Sequence, residues 1–489
     1  MTRMFSVAAA ALLAASCATA RARATAPPPP QDPEAAVARL LRDRIAAAGN
    51  TTPESGTLPA ALSRFYEARA WRPAWTRSLA AELLAAVEAA PADGLRAEDY
   101  PLDSIRLLLA RAALDTADRA ALDVLLSSTF LLYGLHLSAG RLTPWSVDPM
   151  WSAAPPPPGV DLAAALTVAI DSAGLAPVLR GLAPPHPGYA RLRAQLARVP
   201  GGAERVRQIE ANLERWRWLP RDLGARYIMV DIPAFSLEVS DSGRTVHTAR
   251  VIVGRLDWPT PITTAPATQL VFHPSWYIPR AIALAEVIPA QIRDSAYFGR
   301  AGIRVFPARG GREIEPATVD WREVTERNYA YRLVQDPGPA NPLGAVRLHV
   351  ANAFGVTLHD TPQRGLFSLP ARALSHGCIR VERALELAQL LLRDVPGWTP
   401  DTIAAVLRAG RERWVVLPEA VPVVLAYWTA WVDADGVLRF RDDLYGWDAR
   451  LAAALASPRA GLVSGARPSA SAPCEDAALA SRRDGGAPR

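Results

Sequence analysis

One cysteine stands between a histidine-glycine pair and an arginine, in Leu374-Ser375-His376-Gly377-Cys378-Ile379-Arg380-Val381. A cysteine attacks carbonyl carbon as the thiolate, and a neighbouring imidazole generates that thiolate at neutral pH. A second histidine, His359, lies 19 residues earlier, in Val356-Thr357-Leu358-His359-Asp360-Thr361. That spacing puts a strand-end histidine before a loop and the cysteine after it, so a fold-back of the loop brings the two side chains together. Two other uses of the same residues compete. A buried cysteine is often no more than a small hydrophobe, although the neighbours of Cys378 are small and polar rather than an apolar run. His359, His376 and Cys378 are also zinc-ligand types, but a fourth ligand or a water is needed and no HExxH or CxxC pair supports the site. No metal and no cofactor is expected.

Strands must carry these groups. Beyond Pro220 the apolar period becomes two: Phe235, Leu237 and Val239 alternate, Asp241-Ser242-Gly243 turns, and residues 246–253 return as a hairpin partner. Val346, Leu348 and Val350 alternate again, residues 352–355 turn, and Val356-Thr357-Leu358 reads as the strand that ends at His359. Residues 384–392 have helical spacing, and residues 421–432 and 437–440, joined at Asp435-Gly436, read as a late hairpin. Residues 274–335 are mixed, with a helix-like stretch at 282–292, and read as an insertion in the β-rich half.

The preceding half reads as helical. Leu79, Leu83, Leu84 and Val87 share a helical face, and Leu122, Leu125, Leu126 and Thr129 continue the style. Gly94 and Gly140 sit at helix stops, with Pro144 after the second. Residues 120–140 are apolar, but Asp123 and His136 interrupt them, so a buried helix is expected rather than a membrane span. Residues 155–159 are a proline-rich linker, and no cluster in this half has a catalytic pattern. After Gly201-Gly202, Val206, Ile209, Leu213 and Trp216 line one face of a helix that stops by Pro220.

The whole chain has 489 residues, room for two or three domains. It is 50% apolar and 21% charged, which excludes wholesale disorder. Its three cysteines, Cys17, Cys378 and Cys474, form no CxxC pair, which argues against a disulfide framework and iron–sulfur chemistry. The 54 basic residues are all arginine and are interleaved with acids, giving a net charge of +6. A nucleic-acid binder would cluster them, so no nucleic acid is expected as a partner. Residues 1–24 read as an export signal, with Arg3, an apolar run from Phe5 and the small-residue site Ala18-Thr19-Ala20. Leu13-Ala14-Ala15-Ser16-Cys17 also reads as a lipoprotein signal with Cys17 as the lipid anchor, and both readings place the protein outside the cytoplasm. Residues 25–34 read as a stiff proline-rich linker, and residues 457–489 as a disordered tail in which Cys474 is incidental.

Ser375-His376-Gly377-Cys378-Ile379-Arg380, with a histidine 19 positions earlier, resembles the catalytic motif of the L,D-transpeptidase family (YkuD-type). The likeness extends to its large YcbB-like (LdtD-like) branch at Asn212-Leu213-Glu214-Arg215-Trp216, Pro274-Ser275-Trp276, Asn341-Pro342-Leu343-Gly344 and Asp443-Leu444-Tyr445-Gly446. In the helical half it includes Phe65-Tyr66, Asp93-Gly94-Leu95 and Gly140-Arg141, so it covers residues 60–450. The resemblance implies an α+β fold: an all-helical scaffold domain over 35–204, then a β-rich, sandwich-like catalytic domain over 205–456, with 274–335 as its lid. It implies a periplasmic enzyme that joins peptidoglycan peptide stems by 3→3 cross-links, through a thioester on Cys378, working alongside peptidoglycan synthases. In that reading His359 is the base, oriented by the backbone carbonyl of Asp360. Ser375, His376 and Gly377 shape the loop and the oxyanion site, where the N–H groups of Gly377 and Cys378 meet the oxyanion. Arg380 tethers the loop or binds a stem carboxylate, and Trp276 and Asn341 touch substrate. Two other activities share the motif, an L,D-carboxypeptidase and an enzyme that attaches or releases a lipoprotein; a non-catalytic wall scaffold is the remaining alternative. The chain departs from the branch in lacking the peptidoglycan-binding domain between the two halves, and in having His273 and Thr357 where asparagine and an aromatic are usual.

Overall fold

The computed structural model describes residues 32–49, 57–152, 160–172, 174–199 and 202–457. The export segment with Cys17, the 155–159 linker and the terminal tail with Cys474 lie outside the described residues. The proline-rich linker drawn to residue 34 overlaps the first helix, Pro33–Gly49. Proline suits a first helical position, because the N–H it lacks has no partner there.

The helical half is built around Thr116–Ala139, which Asp115 caps by accepting the Asp118 N–H at 2.7 Å. This helix is long and apolar enough to cross a membrane, but Leu126, Phe130, Leu131 and Leu137 are buried against the helices around it. Its polar interruption is absorbed rather than exposed. Asp123 accepts the Tyr66 hydroxyl at 2.6 Å and the N–H groups of Ala74 and Trp75 at 3.0 and 3.2 Å.

A second helix, Gly202–Arg217, joins the halves. Ile209, Leu213 and Trp216 are buried on its expected apolar face, and the helix ends three residues before Pro220. Glu214 and Arg217, both buried, pair at 3.1 Å. Glu214 also accepts the backbone N–H groups of Arg141 and Leu142, at 2.6 and 2.8 Å. Gly140 is required there: its φ is +91°, and a Cβ would lie 2.6 Å from the Glu214 carboxylate. The boundary between halves is interlocked. Trp151, numbered with the scaffold, is fully buried in the core of the β-rich half, where it bridges to Ile262 and meets the rings of Trp218 and Trp447.

The β-rich half contains β1 (Arg226–Asp231), β2 (Ser236–Asp241), β3 (Arg244–Gly254), β4 (Thr263–Phe272) and β5 (Trp276–Tyr277). It continues with β6 (Ile303–Pro307), β7 (Tyr331–Gln335), β8 (Val346–Val350), β9 (Leu358–His359) and β10 (Ala373–Ser375). The last strands are β11 (Ile379–Val381), β12 (Arg413–Ala426), β13 (Ala430–Val432) and β14 (Leu438–Phe440). Nine strands form one mixed sheet in the order β10-β3-β11-β9-β8-β4-β12-β1-β2, and β2 also pairs with β3. The sandwich-like packing that the resemblance implies thus comes from one sheet folded back on itself. β3 serves both sides: residues 244–250 pair with β2, while Val251 and Ile252 pair with β11. The hairpin at Asp241-Ser242-Gly243 and the helix Ala384–Leu392 lie where the pattern put them. The late hairpin does not begin at residue 421. Residues 413–426 are a central strand of the large sheet, Tyr427–Thr429 interrupt it, and only β13 and β14 form the hairpin.

Residues 274–335 fold as a separate cap with its own three-stranded sheet, in the order β5-β7-β6, and its own core around Ile282, Phe298, Trp321 and Leu333. Its helical stretch is irregular: Ala283–Val287 is a single π-helical turn between two α-helical pieces. Such turns are uncommon in helix interiors and often mark functional sites.

Candidate active site

Strand pairing, not proximity in the chain, brings the two candidate residues to one cleft. β9 and β11 run parallel, with Leu358 opposite Ile379 and His359 opposite Arg380, and the Ile379 N–H donates to Thr357 at 3.0 Å. Cys378 therefore directly precedes β11, on the side where β9 begins. Both side chains line a cleft of about 450 Å³ between the large sheet and the cap.

His359 is buried, and its Nδ1 lies 2.6 Å from the backbone carbonyl of Asp360. Only a protonated Nδ1 can donate there, so the neutral ring keeps Nε2 as the acceptor. Burial, reinforced by the Arg380 and Arg347 guanidiniums, pushes the imidazole down to about 3. The ring is accordingly uncharged at neutral pH. The Asp360 carboxylate serves the frame: it accepts the Ala345 N–H at 2.9 Å and pairs with Arg364 at 3.1 Å.

The loop that carries Cys378 is held from beneath. Ser375 Oγ donates to the Cys378 carbonyl at 2.6 Å and accepts the Gly377 N–H at 3.1 Å. The Gly377 N–H, expected at the oxyanion, is thus turned inward onto the serine. Gly377 has φ +103°, a conformation that side-chain-bearing residues rarely adopt. Its carbonyl accepts the Thr260 hydroxyl at 2.8 Å, and the same hydroxyl accepts the Gly254 N–H at 2.8 Å. Tyr445 completes the clamp, donating to the Gly254 carbonyl at 2.5 Å.

The remaining expected residues divide. Arg380 lines the cleft and donates to Gln363 at 2.8 Å, and burial draws its own pKa down. Trp276 lines the cleft from β5. His376 faces the cap: its Nε2 lies 2.6 Å from the Glu286 carboxylate and 2.9 Å from Arg255. A guanidinium at that distance does not suit a metal-bound nitrogen. Asn341 is a correction. Its amide donates to the carbonyls of Pro274 and Asp336, at 3.0 and 3.2 Å, and its oxygen accepts the Leu343 N–H at 2.9 Å. It ties together the two chain segments that leave and re-enter the sheet at the cap, and does not line the cleft. Thr357 lines the cleft, whereas His273 lies outside it, with Nε2 2.9 Å from the Leu407 carbonyl.

Two cleft residues, Arg347 and Glu286, were not expected from the sequence. Arg347, on β8 opposite His359, occupies the off-phase position of Val346-Arg347-Leu348, which alternation assigns to solvent; here that face is the cleft floor. Its guanidinium lies over Trp414, 5.7 Å from the ring centroid. Glu286 lies in the π-helical turn. Thr260 and Tyr445 stand far from the motif in sequence, and only their hydrogen bonds disclose a role.

Comparison with known proteins agrees with this anatomy. Residues 60–196 match a scaffold domain and residues 225–406 the L,D-transpeptidase catalytic domain. A protein of Haemophilus influenzae named "Putative L,D-transpeptidase" is 28% identical over 397 residues, 80% of this chain and 78% of that one. Among solved structures, an L,D-transpeptidase from Mycobacterium smegmatis is 16% identical over 41% of this chain and 58% of its own, with a TM-score of 0.17. L,D-transpeptidase 1 of Mycobacterium tuberculosis is likewise 16% identical, over 41% of this chain and 61% of its own, with a TM-score of 0.16. The chain spans about three fifths of those two structures. The chain thus carries a scaffold domain followed by an L,D-transpeptidase (YkuD) catalytic domain, which presents Cys378 and His359 in one cleft.

Proposed function

We propose that the protein is a periplasmic peptidoglycan L,D-transpeptidase that forms 3→3 cross-links between peptide stems through a thioester on Cys378. The observation that supports this reading is that Cys378 and His359 line one cleft, with the His359 ring held by the Asp360 carbonyl. Cys378 Sγ attacks the carbonyl carbon of the third, L-centred residue of a tetrapeptide stem. His359 Nε2 takes the thiol proton and returns it to the departing D-alanine amine. The nearby Arg380 cation favours the thiolate as it forms. A side-chain amine of a second stem then attacks the thioester and frees the thiol. The cap over the cleft limits water at the acyl-enzyme, which favours aminolysis over hydrolysis.

Product analysis tests the reading. Purified protein given disaccharide-tetrapeptides is expected to yield 3→3 dimers and free D-alanine, and Cys378→Ala to yield neither. Tripeptides without dimers would make it an L,D-carboxypeptidase, and dimers formed by Cys378→Ala would remove the nucleophile assignment.

A further inference from the structure

The charges in the cleft are segregated. The floor carries two guanidiniums, Arg347 and Arg380, close enough to His359 that both lower its pKa. Among the described residues lining the cleft, Glu286 is the one carboxylate, and it sits on the cap. Its position is fixed from two sides. Its Oε1 lies 2.6 Å from His376 Nε2 and 3.4 Å from Arg255, so it is drawn inward over the nucleophile loop. His376 is only two residues before Cys378. The Glu286 side chain nonetheless remains 46% exposed, so an entering group can reach it.

We propose that Glu286 is the acceptor-binding residue: it captures the ammonium of the incoming amine and thereby selects a cationic acceptor. This rests on the acyl-transfer reading above and adds the chemistry of its second substrate. Among the described residues lining the cleft, Glu286 is the one carboxylate that an ammonium approaching the thioester can meet. A carboxylate accepts several hydrogen bonds at once, so an ammonium can share it with His376. The docked ammonium releases one proton to solvent at the cleft mouth. The free amine's lone pair then forms the C–N bond as the C–S bond breaks, and the second amine proton passes through His359 to Cys378 Sγ. The products are an amide, the free thiol and one released proton. Glu286 sits in the π-helical turn, a feature frequent at functional sites.

The test compares two acceptors of equal length in the full chain, an alkylamine, cationic at pH 7, and an O-alkylhydroxylamine, neutral there. The donor tetrapeptide is held fixed. Wild type is expected to favour the cationic acceptor. In Glu286→Gln the ratio of amine to hydroxylamine use is expected to fall about tenfold, the effect of one charge-assisted hydrogen bond, with partial recovery in Glu286→Asp. A cap merely loosened by the substitution would lose both acceptors equally to hydrolysis, and an equal loss, or no change in the ratio, overturns the proposal. A mass gain on Cys378 shows that the variant is folded and acylated. A wild-type chain that forms no acyl-enzyme overturns the transpeptidase reading, and the acceptor proposal with it. An acyl-enzyme whose acceptor choice ignores residue 286 overturns the acceptor proposal alone.

Discussion

Asp123 and His359 are both buried polar side chains, one in each half of the molecule, and their surroundings differ in kind. The Asp123 carboxylate is enclosed: Tyr66 and the Ala74 and Trp75 N–H groups bond to it, and Ser127 binds Tyr66 and Trp75 in turn at 2.8 Å. His359 has one ring nitrogen fixed by a backbone carbonyl while the ring lines a cleft. Burial raises the pKa of Asp123, against the effect of its hydrogen bonds, and lowers that of His359. Burial and polarity alone therefore do not mark a reactive group. What separates the two is whether the pairing is completed within the protein or left open toward a cavity.

The contrast is broken most strongly by exchanging losses. His359→Gln, which keeps the volume, is expected to lower the acylation rate about 1,000-fold while the chain stays folded. Stopped-flow acylation and urea unfolding, run on the same sample, check both halves of that statement. Asp123→Ala is expected to reverse the pattern. It strands three donors and should cost about 3 kcal/mol of stability while leaving acylation by the surviving folded fraction intact. Acylation lost in Asp123→Ala at full stability would contradict the distinction.

A smaller effect concerns pH. The folded-state pKa of His359, about 3, lies below its ordinary value of 6.5. Between those values the unfolded chain binds a proton that the folded chain refuses. The His359 contribution to stability is therefore complete above 6.5 and is lost as pH falls toward 3. By the same cause, the acid limb of acylation lies well below 6.5. Arg380→Gln removes one of the cations that depress the ring, so the limb is expected to move to higher pH. A pH–rate profile of acylation reads this directly, and an unmoved limb would leave burial and Arg347 as the causes.

The sequence was most legible where chemistry or period is local. Ser375-His376-Gly377-Cys378 is contiguous, and the alternation of Phe235, Leu237 and Val239 is sufficient to place β2. Residue 413 to 426 misled because a long central strand and a short hairpin follow each other with the same apolar texture, divided only by the buried Tyr427-Trp428-Thr429. Arg347 was illegible for a different reason: a strand's polar face looks the same whether it meets solvent or a cleft. Asn341 shows the converse error, since an amide beside the cap reads as a substrate contact until its bonds to the backbone are seen. Thr260 and Tyr445 act through backbone carbonyls, which have no sequence signature.

That Cys378 carries the acyl group is tested most directly by mass spectrometry of the purified chain after incubation with a tetrapeptide donor. The expected result is a mass gain equal to the acyl tripeptide, on the fragment containing Cys378 and absent in Cys378→Ala. A gain on a fragment containing Cys17 or Cys474 instead, or product formed with no acylated Cys378 at any time, would contradict it.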